Sequence, residues 1–463
     1  MSRTTRALLA LGLVASLSGC GWIERQKASA ARRALEDEAV AAAKAGDLAK
    51  VKRMLADDRS LANAPDRFYP RKGRFREVGT MLTAAVSSGN PALVDLLLAS
   101  GLDPNAGGAD SRTRPLHLAA GLKAEDGSAL EVAGLLLARG ARLDPLDDGG
   151  RTPVHVLLNR GGEEAPRLPL LNLFLARPGA TELRDEDGRT PLHFVAYFRQ
   201  PLLLEALLLA GADPNARVTT KDRLEGAEPI NGETPLHAAV RGSEGAGRAD
   251  GVLVLCAAGA DPAARNDAGQ TPEELARALV AARRTASPAL AEAGESLAAA
   301  VSPAGPCASW LARFRAGGRP ASFAPVRLAE REYNCDAGDY LDCQELAKAY
   351  QDGDGVGKDP AKALSLFTRA CEAKSGWACA MVGSFVASGR GVGAADPAGA
   401  ARWFSRACDA GHGWSCNRLG EMARDGEGVA RDTGRALALF EKACQEKEDA
   451  GCANGRALKA ATR

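Results

Sequence analysis

The chain has 463 residues, of which 46% are apolar, so its composition excludes a disordered protein and allows about two to four domains or one long repeat array. Its 59 Lys and Arg side chains nearly balance 58 Asp and Glu side chains, which excludes the broad positive surface of a nucleic-acid-binding protein. We therefore expect no nucleic-acid partner.

The first twenty residues have the pattern of an export signal. Two arginines, Arg3 and Arg6, precede an apolar stretch from Ala7 to Ala15 that is too short to span a bilayer. The segment ends in Leu17-Ser18-Gly19-Cys20. This ending resembles the lipobox of bacterial lipoproteins. An ordinary secretory signal with an incidental cysteine is the alternative.

The lipobox resemblance carries a set of expectations about processing. It implies a signal peptide over residues 1–19, acylation of Cys20 and a lipidated tether over residues 20–32. Gly21 stands where Asp would favour retention in the inner membrane, and this implies sorting to the outer membrane. We therefore expect a lipid-anchored protein of the cell envelope that faces the periplasm and contacts the membrane only through its acyl chains.

A short motif recurs between residues 33 and 279 at spacings of 34, 38, 38, 44 and 37 residues. Apolar runs that end in glycine, such as Leu207 to Gly211, separate its copies. Its Thr can cap a helix, its Pro suits the first helical turn, and the glycine can end the second helix. The clearest copies are Thr152-Pro153-Val154-His155, Thr190-Pro191-Leu192-His193 and Thr234-Pro235-Leu236-His237. This pattern resembles the ankyrin repeat, which implies a solenoid of turns and antiparallel helix pairs.

The two ends of this array depart from the motif. The segment Glu36 to Leu61 lacks Thr-Pro, and Thr271-Pro272-Glu273-Glu274 carries carboxylates at the apolar and His positions. Terminal repeats need a polar outer face, so both are predicted to be degenerate caps, and counting them gives about seven repeats. Asp187-Gly188 and Asn231-Gly232 predict short β-hairpin fingers between repeats.

Four histidines occupy one position of the motif: His117, His155, His193 and His237. A metal site is the alternative to a structural role for them. Stacked repeats would place these rings about one repeat apart, which is farther than a single zinc ion with ligands at about 2.0 to 2.1 Å can bridge. We therefore predict structural hydrogen bonds and no metal or cofactor, and the ankyrin resemblance implies a bond from each His to the motif Thr.

Two long insertions, residues 66–79 and 216–233, mark where this array could bind a partner. The first combines cationic and aromatic side chains, which interface hot spots favour. The candidate partner-binding residues are Arg67, Phe68, Tyr69, Arg71, Lys72, Arg74, Phe75 and Arg76. The alternative is a solvated finger whose aromatic rings pack against the helices.

Residues 280–331 are predicted to form a helical linker. Cys256 precedes it in an apolar run, which favours an unpaired buried thiol that behaves as a small apolar side chain. A disulfide between Cys256 and Cys307 remains open from the sequence.

Residues 332–463 contain four cysteine pairs, each with seven residues between its members, that recur every 36 or 37 positions. The pairs are Cys335 and Cys343, Cys371 and Cys379, Cys408 and Cys416, Cys444 and Cys452. An exported chain favours disulfides that join the end of one helix to the start of the next, at about 2 to 3 kcal/mol each. Zinc sites are the alternative, although they require closer pairs brought together.

Glycine loops accompany the cysteine pairs, as in Gly353-Asp354-Gly355-Val356 and Gly389-Arg390-Gly391-Val392. Asp359, Asp396 and Asp432 then begin helices that carry Ala and Phe at core spacing. The pattern over Tyr333 to Leu458 resembles the Sel1 repeat in its exported, cysteine-rich form, which implies a second solenoid of helix pairs. The predicted fold class is therefore all-α, with two helical solenoids: ankyrin repeats with short hairpin fingers, and disulfide-linked Sel1-like pairs.

No nucleophile motif is present in the sequence, which contains neither Gly-x-Ser-x-Gly nor Ser-x-x-Lys. We therefore predict no catalytic residue and no enzymatic activity. The preferred function is a scaffold or adaptor that binds one or more proteins of the envelope. The alternatives are a periplasmic immunity protein against a delivered effector, and a protein that binds peptidoglycan or β-lactams with weak hydrolase activity.

Overall fold

The computed structural model describes residues 26, 28–68, 76–123, 127–159, 161–219, 230–242, 251–283, 288–318, 320 and 322–461. These residues form two compact units. The first extends to Ala238 and includes Asn266–Ala268, and the second comprises Ala239–Arg265 and the residues from Gly269 onward. The predicted signal peptide and Cys20 lie outside the described residues.

The first unit consists of short helices that alternate between two layers. One layer contains the helices that begin at the Thr-Pro motif or its equivalent, and the other contains the helices that follow them. The helices are α1 (residues 28–44), α2 (Leu48–Asp57), α3 (Met81–Ser87), α4 (Pro91–Ala99), α5 (Pro115–Gly121), α6 (Ser128–Ala138), α7 (Pro153–Leu158), α8 (Leu168–Leu175), α9 (Pro191–Tyr197) and α10 (Pro201–Leu209). α11 (Pro235–Gly242) begins in this unit and ends in the second.

Glycine ends the second helix of the repeats, as the sequence predicts. The residues Gly101, Gly140 and Gly211 follow α4, α6 and α10 with φ of 89°, 90° and 99°. Glycine adopts this left-handed conformation without the steric cost that a Cβ atom imposes. Buried leucines of both helices, such as Leu116 of α5 and Leu136 of α6, then form the core between the layers.

The insertion after α2 forms an antiparallel hairpin. Strand β1 (Pro65–Phe68) pairs with β2 (Arg76–Thr80), and the register shifts between Asp66 and Arg67. The later fingers are tight turns, and backbone hydrogen bonds join neighbouring ones. The amide of Glu186 donates to the carbonyl of Gly150 at 2.7 Å, and the amide of Asp267 donates to the carbonyl of Asn231 at 3.0 Å. Neighbouring fingers are thus connected edge to edge.

All of the regular secondary structure described in the second unit is helical. Its helices after α11 are α12 (Val252–Ala257), α13 (Pro272–Arg283), α14 (Pro288–Val301), α15 (Pro306–Gly317), α16 (Ala324–Asp336), α17 (Tyr340–Asp352), α18 (Pro360–Glu372), α19 (Gly376–Ser388), α20 (Pro397–Asp409), α21 (Gly413–Asp425), α22 (Thr433–Gln445) and α23 (Asp449–Ala461). From α16 onward consecutive helices pack against each other. α16 continues through residue 331, so the predicted end of the linker lies inside a helix.

The preference for an unpaired Cys256 is wrong, because the structure bonds it to Cys307, with Cα atoms 5.3 Å apart. The cause is the packing of α15 against α12, which the sequence does not reveal. The Phe314 ring of α15 also lies against Gly259. The backbone amide of Leu253 donates to a carboxylate oxygen of buried Glu330 at 2.9 Å. α12 is consequently buried along its whole length.

Candidate protein-interaction surfaces

The predicted partner-binding hairpin is attached to α1 through Arg67. The guanidinium of Arg67 is 2.7 Å from the carboxylate of Glu36 and 3.2 Å from that of Asp37, and its side chain is 9% exposed. Burial raises the pKa of Glu36, but hydrogen bonds from Arg67 and Arg32 outweigh it and lower the pKa below its usual value. Arg67 therefore fixes the hairpin and offers little surface to a partner.

The other candidate residues of the hairpin remain predictions. The structure gives the backbone of Phe68 and Arg76 within the two strands. Their side chains lie outside the described residues, as do Tyr69, Arg71, Lys72, Arg74 and Phe75.

The motif histidines complete the N-terminal caps of their helices, as predicted. Imidazole Nδ1 lies 2.7 Å from the hydroxyl of Thr152 in the repeat of His155, and 2.8 Å from that of Thr190 in the repeat of His193. In the repeat of His237 the corresponding distance, to Thr234, is 2.9 Å. The ring accepts a hydrogen bond at the third helical position, which is the position where glutamate accepts one in a capping box.

Two departures from the motif follow the same capping rule. Where Arg114 stands at the Thr position, its backbone amide donates to Nδ1 of His117 at 3.0 Å. In the degenerate repeat, Glu274 takes the place of His and accepts from the amide of Thr271 at 2.8 Å. A polar side chain at this position is therefore required by the helix cap.

Burial keeps the central histidines neutral. Desolvation lowers the pKa of His155 to about 3 and the pKa of His193 to about 4. The opposite ring nitrogen of His193 lies 3.1 Å from the carbonyl oxygen of Glu233 in the next finger. With Nδ1 accepting, Nε2 carries the proton and donates to that carbonyl, which connects consecutive repeats.

An exposed aromatic pair lies at the end of α9. Tyr197 is 46% exposed and Phe198 is 44% exposed, and their ring centroids are 5.2 Å apart. Phe198 also contacts buried Phe194 at 5.0 Å, which fixes its orientation. This pair is absent from the predicted binding residues, although two consecutive aromatic residues in a chain with 5% aromatics are a usable signal. Fixed, exposed aromatic rings are typical of binding hot spots.

A second apolar row runs along the disulfide-linked array. In each of the first three cysteine pairs, a large apolar residue stands two positions before the second cysteine. These residues are Leu341, Trp377 and Trp414. Leu341 is 44% exposed, Trp414 is 43% exposed, and Trp377 is half-buried under the Lys348 ammonium group, 4.8 Å from its ring. Repetition of the helix pair thus produces a row of large apolar groups on the surface.

The repeat cysteines are all bonded in the predicted pairs. The disulfides join α16 to α17, α18 to α19, α20 to α21 and α22 to α23. Their Cα atoms are 4.6 to 4.7 Å apart. This arrangement confirms the disulfide-linked helix pairs and leaves none of these thiolates for zinc. None of the described helices is long and apolar enough to cross a membrane.

The fold and these surfaces define a helical repeat protein with two kinds of helix pair. The family model for ankyrin repeats matches three copies over residues 169–266, and the model for the Sel1 repeat matches residues 343–375, 378–412 and 415–447. The chain therefore contains ankyrin repeats and Sel1 repeats, and the predicted fold class is confirmed. Repeats of these families indicate a protein–protein interaction scaffold. The disulfides Cys371–Cys379 and Cys408–Cys416 each join two consecutive matched Sel1 repeats.

Solved structures resemble separate parts of the chain. The ankyrin repeat domain of Bcl-3, a member of the IkappaB family, is 24% identical over 51% of this chain and 92% of its own length, with a TM-score of 0.39. The human ASB11 ankyrin repeat domain is 23% identical over 51% and 90%, with a TM-score of 0.37. A Sel1 repeat protein from Oxalobacter formigenes is 26% identical over 29% of this chain and 54% of its own, with a TM-score of 0.25. No curated protein matches the chain.

Proposed function

We propose that this chain is a lipid-anchored scaffold of the bacterial cell envelope that holds partner proteins on its two repeat arrays and performs no covalent chemistry on them. The lipobox-like sequence ending at Cys20 supports the anchor. Gly21 supports the outer membrane as its location and the periplasm as the compartment that the arrays face.

The observation that carries the proposal is the set of five disulfides. Disulfides persist in exported proteins and are reduced in the cytosol of most bacteria. The Cys256–Cys307 bond and the four repeat bonds therefore agree with the export signal, although they lie in a different part of the chain. Two independent features thus support the same compartment.

The exposed apolar groups supply the proposed contact surfaces. Tyr197 and Phe198 serve the ankyrin array, and the row of Leu341, Trp377 and Trp414 serves the Sel1 array. Rigid aromatic side chains lose little conformational entropy when they bind, and their burial removes much apolar area from water. The partners are proteins of the envelope.

Metabolic labelling with radioactive palmitate tests the anchor. The wild-type chain should incorporate label and sediment with outer-membrane vesicles, because several acyl chains bind a bilayer stably. The Cys20→Ser variant should incorporate none and remain in the periplasmic fraction. An unlabelled wild-type chain would exclude acylation, and a variant labelled as strongly as the wild type would place the acyl group on another residue.

Crosslinking in intact cells followed by mass spectrometry tests the scaffold. Replacing Tyr197 and Phe198 together by alanine should lower the yield of at least one crosslinked envelope protein by about tenfold or more, as expected for hot-spot residues. Leu209→Ala is the matched control, because Leu209 is also exposed in this array but lies on α10. Equal yields for the wild type and both variants would reject the Tyr197 and Phe198 surface.

A further inference from the structure

The Cys444–Cys452 disulfide differs from the other four in its exposure. The cysteines of the first three repeat bonds are at most 3% exposed, and Cys256 and Cys307 are fully buried. By contrast Cys444 is exposed and Cys452 is half-buried. Thiol–disulfide exchange requires that a thiolate reach a disulfide sulfur, so this bond is the accessible one.

The helix that this bond holds has little apolar packing of its own. α19 buries six of its residues and α21 buries seven, whereas α23 buries only Gly451 and Gly455. Burial of apolar side-chain area provides most of the stabilisation of a docked helix, and two glycines contribute very little of it. The disulfide is therefore a major part of the attachment of α23.

Besides the disulfide, α23 contributes one partly buried apolar side chain, Leu458, which packs against the cluster of Ala423, Ala436 and Phe440. Its other contacts are polar and partly exposed. The side-chain amide of Asn454 donates to Asn417 Oδ1 at 2.9 Å. The Lys459 ammonium group lies 2.7 Å from the Glu441 carboxylate, with both side chains about half exposed. Ion pairs between half-exposed side chains contribute little to stability, because water screens the charges. These contacts set the position of α23 on its neighbouring helices but contribute little to the stability of its attachment.

α23 covers an apolar surface of α22. A Cβ atom added to Gly451 would lie 2.4 Å from Cβ of Ala443, and one added to Gly455 would lie 3.4 Å from Cβ of Phe440. Phe440 and Ala443 are fully buried beneath the helix. The Phe440 ring itself lies against Gly420 of α21. Departure of α23 would therefore expose Ala443 and the Cβ side of Phe440.

We propose that Cys444–Cys452 is a thiol–disulfide exchange site for an external dithiol, and that its reduction releases α23 and uncovers the apolar surface of α22 at Ala443 and Phe440 Cβ. One thiolate of the dithiol attacks Sγ of Cys444, forming a mixed disulfide and expelling the Cys452 thiolate. The second thiolate attacks the dithiol's own sulfur in the mixed disulfide and expels the Cys444 thiolate. Two electrons pass to the cystine, the dithiol becomes a disulfide, and the cysteine thiolates take protons from water.

This inference concerns the oxidised chain itself and depends on neither the lipid anchor nor a partner. Graded dithiothreitol treatment of the folded chain, acid quenching, alkylation and peptide mapping would measure the order of reduction. Cys444 and Cys452 should be alkylated at least about tenfold faster than the other eight bonded cysteines, because the local opening that exposes a buried bond is rare. Reduction of all five bonds in one step, or earlier reduction of any other bond, would overturn the proposal.

Hydrogen exchange tests the release of α23. After reduction of this bond alone, amides of α23 should lose protection while those of α19 and α21 keep it. The Cys444→Ser and Cys452→Ser double variant should reproduce the loss without any reductant. The matched control is the double variant Cys408→Ser and Cys416→Ser, in which α21 should keep most of its protection because it buries seven residues. Retained protection of α23 in reduced wild type would show that the helix is not held by the bond.

Discussion

The buried histidines should make the first unit sensitive to acid. Each of His155 and His193 accepts a hydrogen bond through Nδ1 in the folded state, so protonation would replace an acceptor with a donor. Their folded pKa values, about 3 and about 4, lie below the value of about 6.5 in an unfolded chain. As the pH falls below 6.5 the unfolded chain binds protons that the folded chain does not bind, and stability is lost.

The expected loss can be calculated from these pKa values. At pH 5 each imidazole is almost fully charged in the unfolded chain and neutral in the folded chain. A pH of 5 lies about 1.5 units below the unfolded pKa, so each ring lowers the free energy of unfolding by about 2 kcal/mol. Both rings together should therefore lower the free energy of unfolding by about 4 kcal/mol between pH 7 and pH 5. The loss should continue as the pH falls to the folded pKa values, about 4 for His193 and about 3 for His155.

Hydrogen exchange of α7 and α9 peptides, corrected for the intrinsic pH dependence of exchange, would measure this loss. The test variant carries His155→Gln and His193→Gln, because glutamine can accept at the same cap position but does not titrate in this range. The wild type should lose protection at pH 5 and the variant should not. An equal loss in both proteins would refute the assignment of acid sensitivity to these rings.

Three further predictions concern the second unit. Gly383→Ala should destabilise it by about 1 to 3 kcal/mol, because the new methyl group would lie 2.7 Å from the buried ring of Phe404. Lys374→Gly should stabilise it by about 1 kcal/mol, because Lys374 has a φ of 70° that glycine adopts without strain. Replacing Cys256 and Cys307 by alanine should lower the free energy of unfolding by about 4 kcal/mol, whereas removal of a repeat disulfide should lower it by about 2.5 kcal/mol. The difference arises because Cys256 and Cys307 are 51 residues apart in the chain and the members of a repeat pair are 8 apart. Urea unfolding followed by tryptophan fluorescence would measure all three.

Controls are available for these variants in the same unit. Gly434→Ala should be neutral or slightly stabilising, because its nearest neighbour, a carboxylate oxygen, is 3.4 Å away and Ala favours helix. Gly411→Ala should destabilise the turn equivalent to that of Lys374, because Gly411 has a φ of 80°. Equal effects of Gly383→Ala and Gly434→Ala would contradict the Phe404 contact. A destabilising Lys374→Gly variant would contradict the strain argument, and an unchanged urea midpoint after removal of Cys256–Cys307 would contradict the chain-entropy argument.

The sequence predicted the features that recur with the repeats. Motif Thr and His specified helix caps, glycines specified helix ends, and the regular cysteine spacing specified bonds between sequential helices, because each of these interactions is local. The Cys256–Cys307 bond and the ion pair between Arg67 and Glu36 could not be predicted in this way. Both join elements that come together only when helices pack, about thirty to fifty residues apart in the chain.

The exposure of particular side chains was also beyond the sequence. Tyr197 lies on the first helix of a repeat, where the pattern does not determine whether a neighbouring element covers it. The repeat pattern likewise makes Cys444 equivalent to Cys408, yet one is exposed and the other buried. The exposure of a side chain depends on the element that packs beside its repeat. The motif contains only the residues that all repeats share, so it does not predict this exposure.

Counting alkylatable cysteines in the chain isolated from acid-quenched cells tests the account most directly. The mature protein should react at none of its eleven cysteines before reduction and at ten after reduction, because ten are paired and the Cys20 sulfur carries lipid. Intact mass would give both numbers. Reaction at buried repeat cysteines before reduction, or at an unblocked Cys20 at any stage, would contradict the proposal of an oxidised, lipid-anchored scaffold.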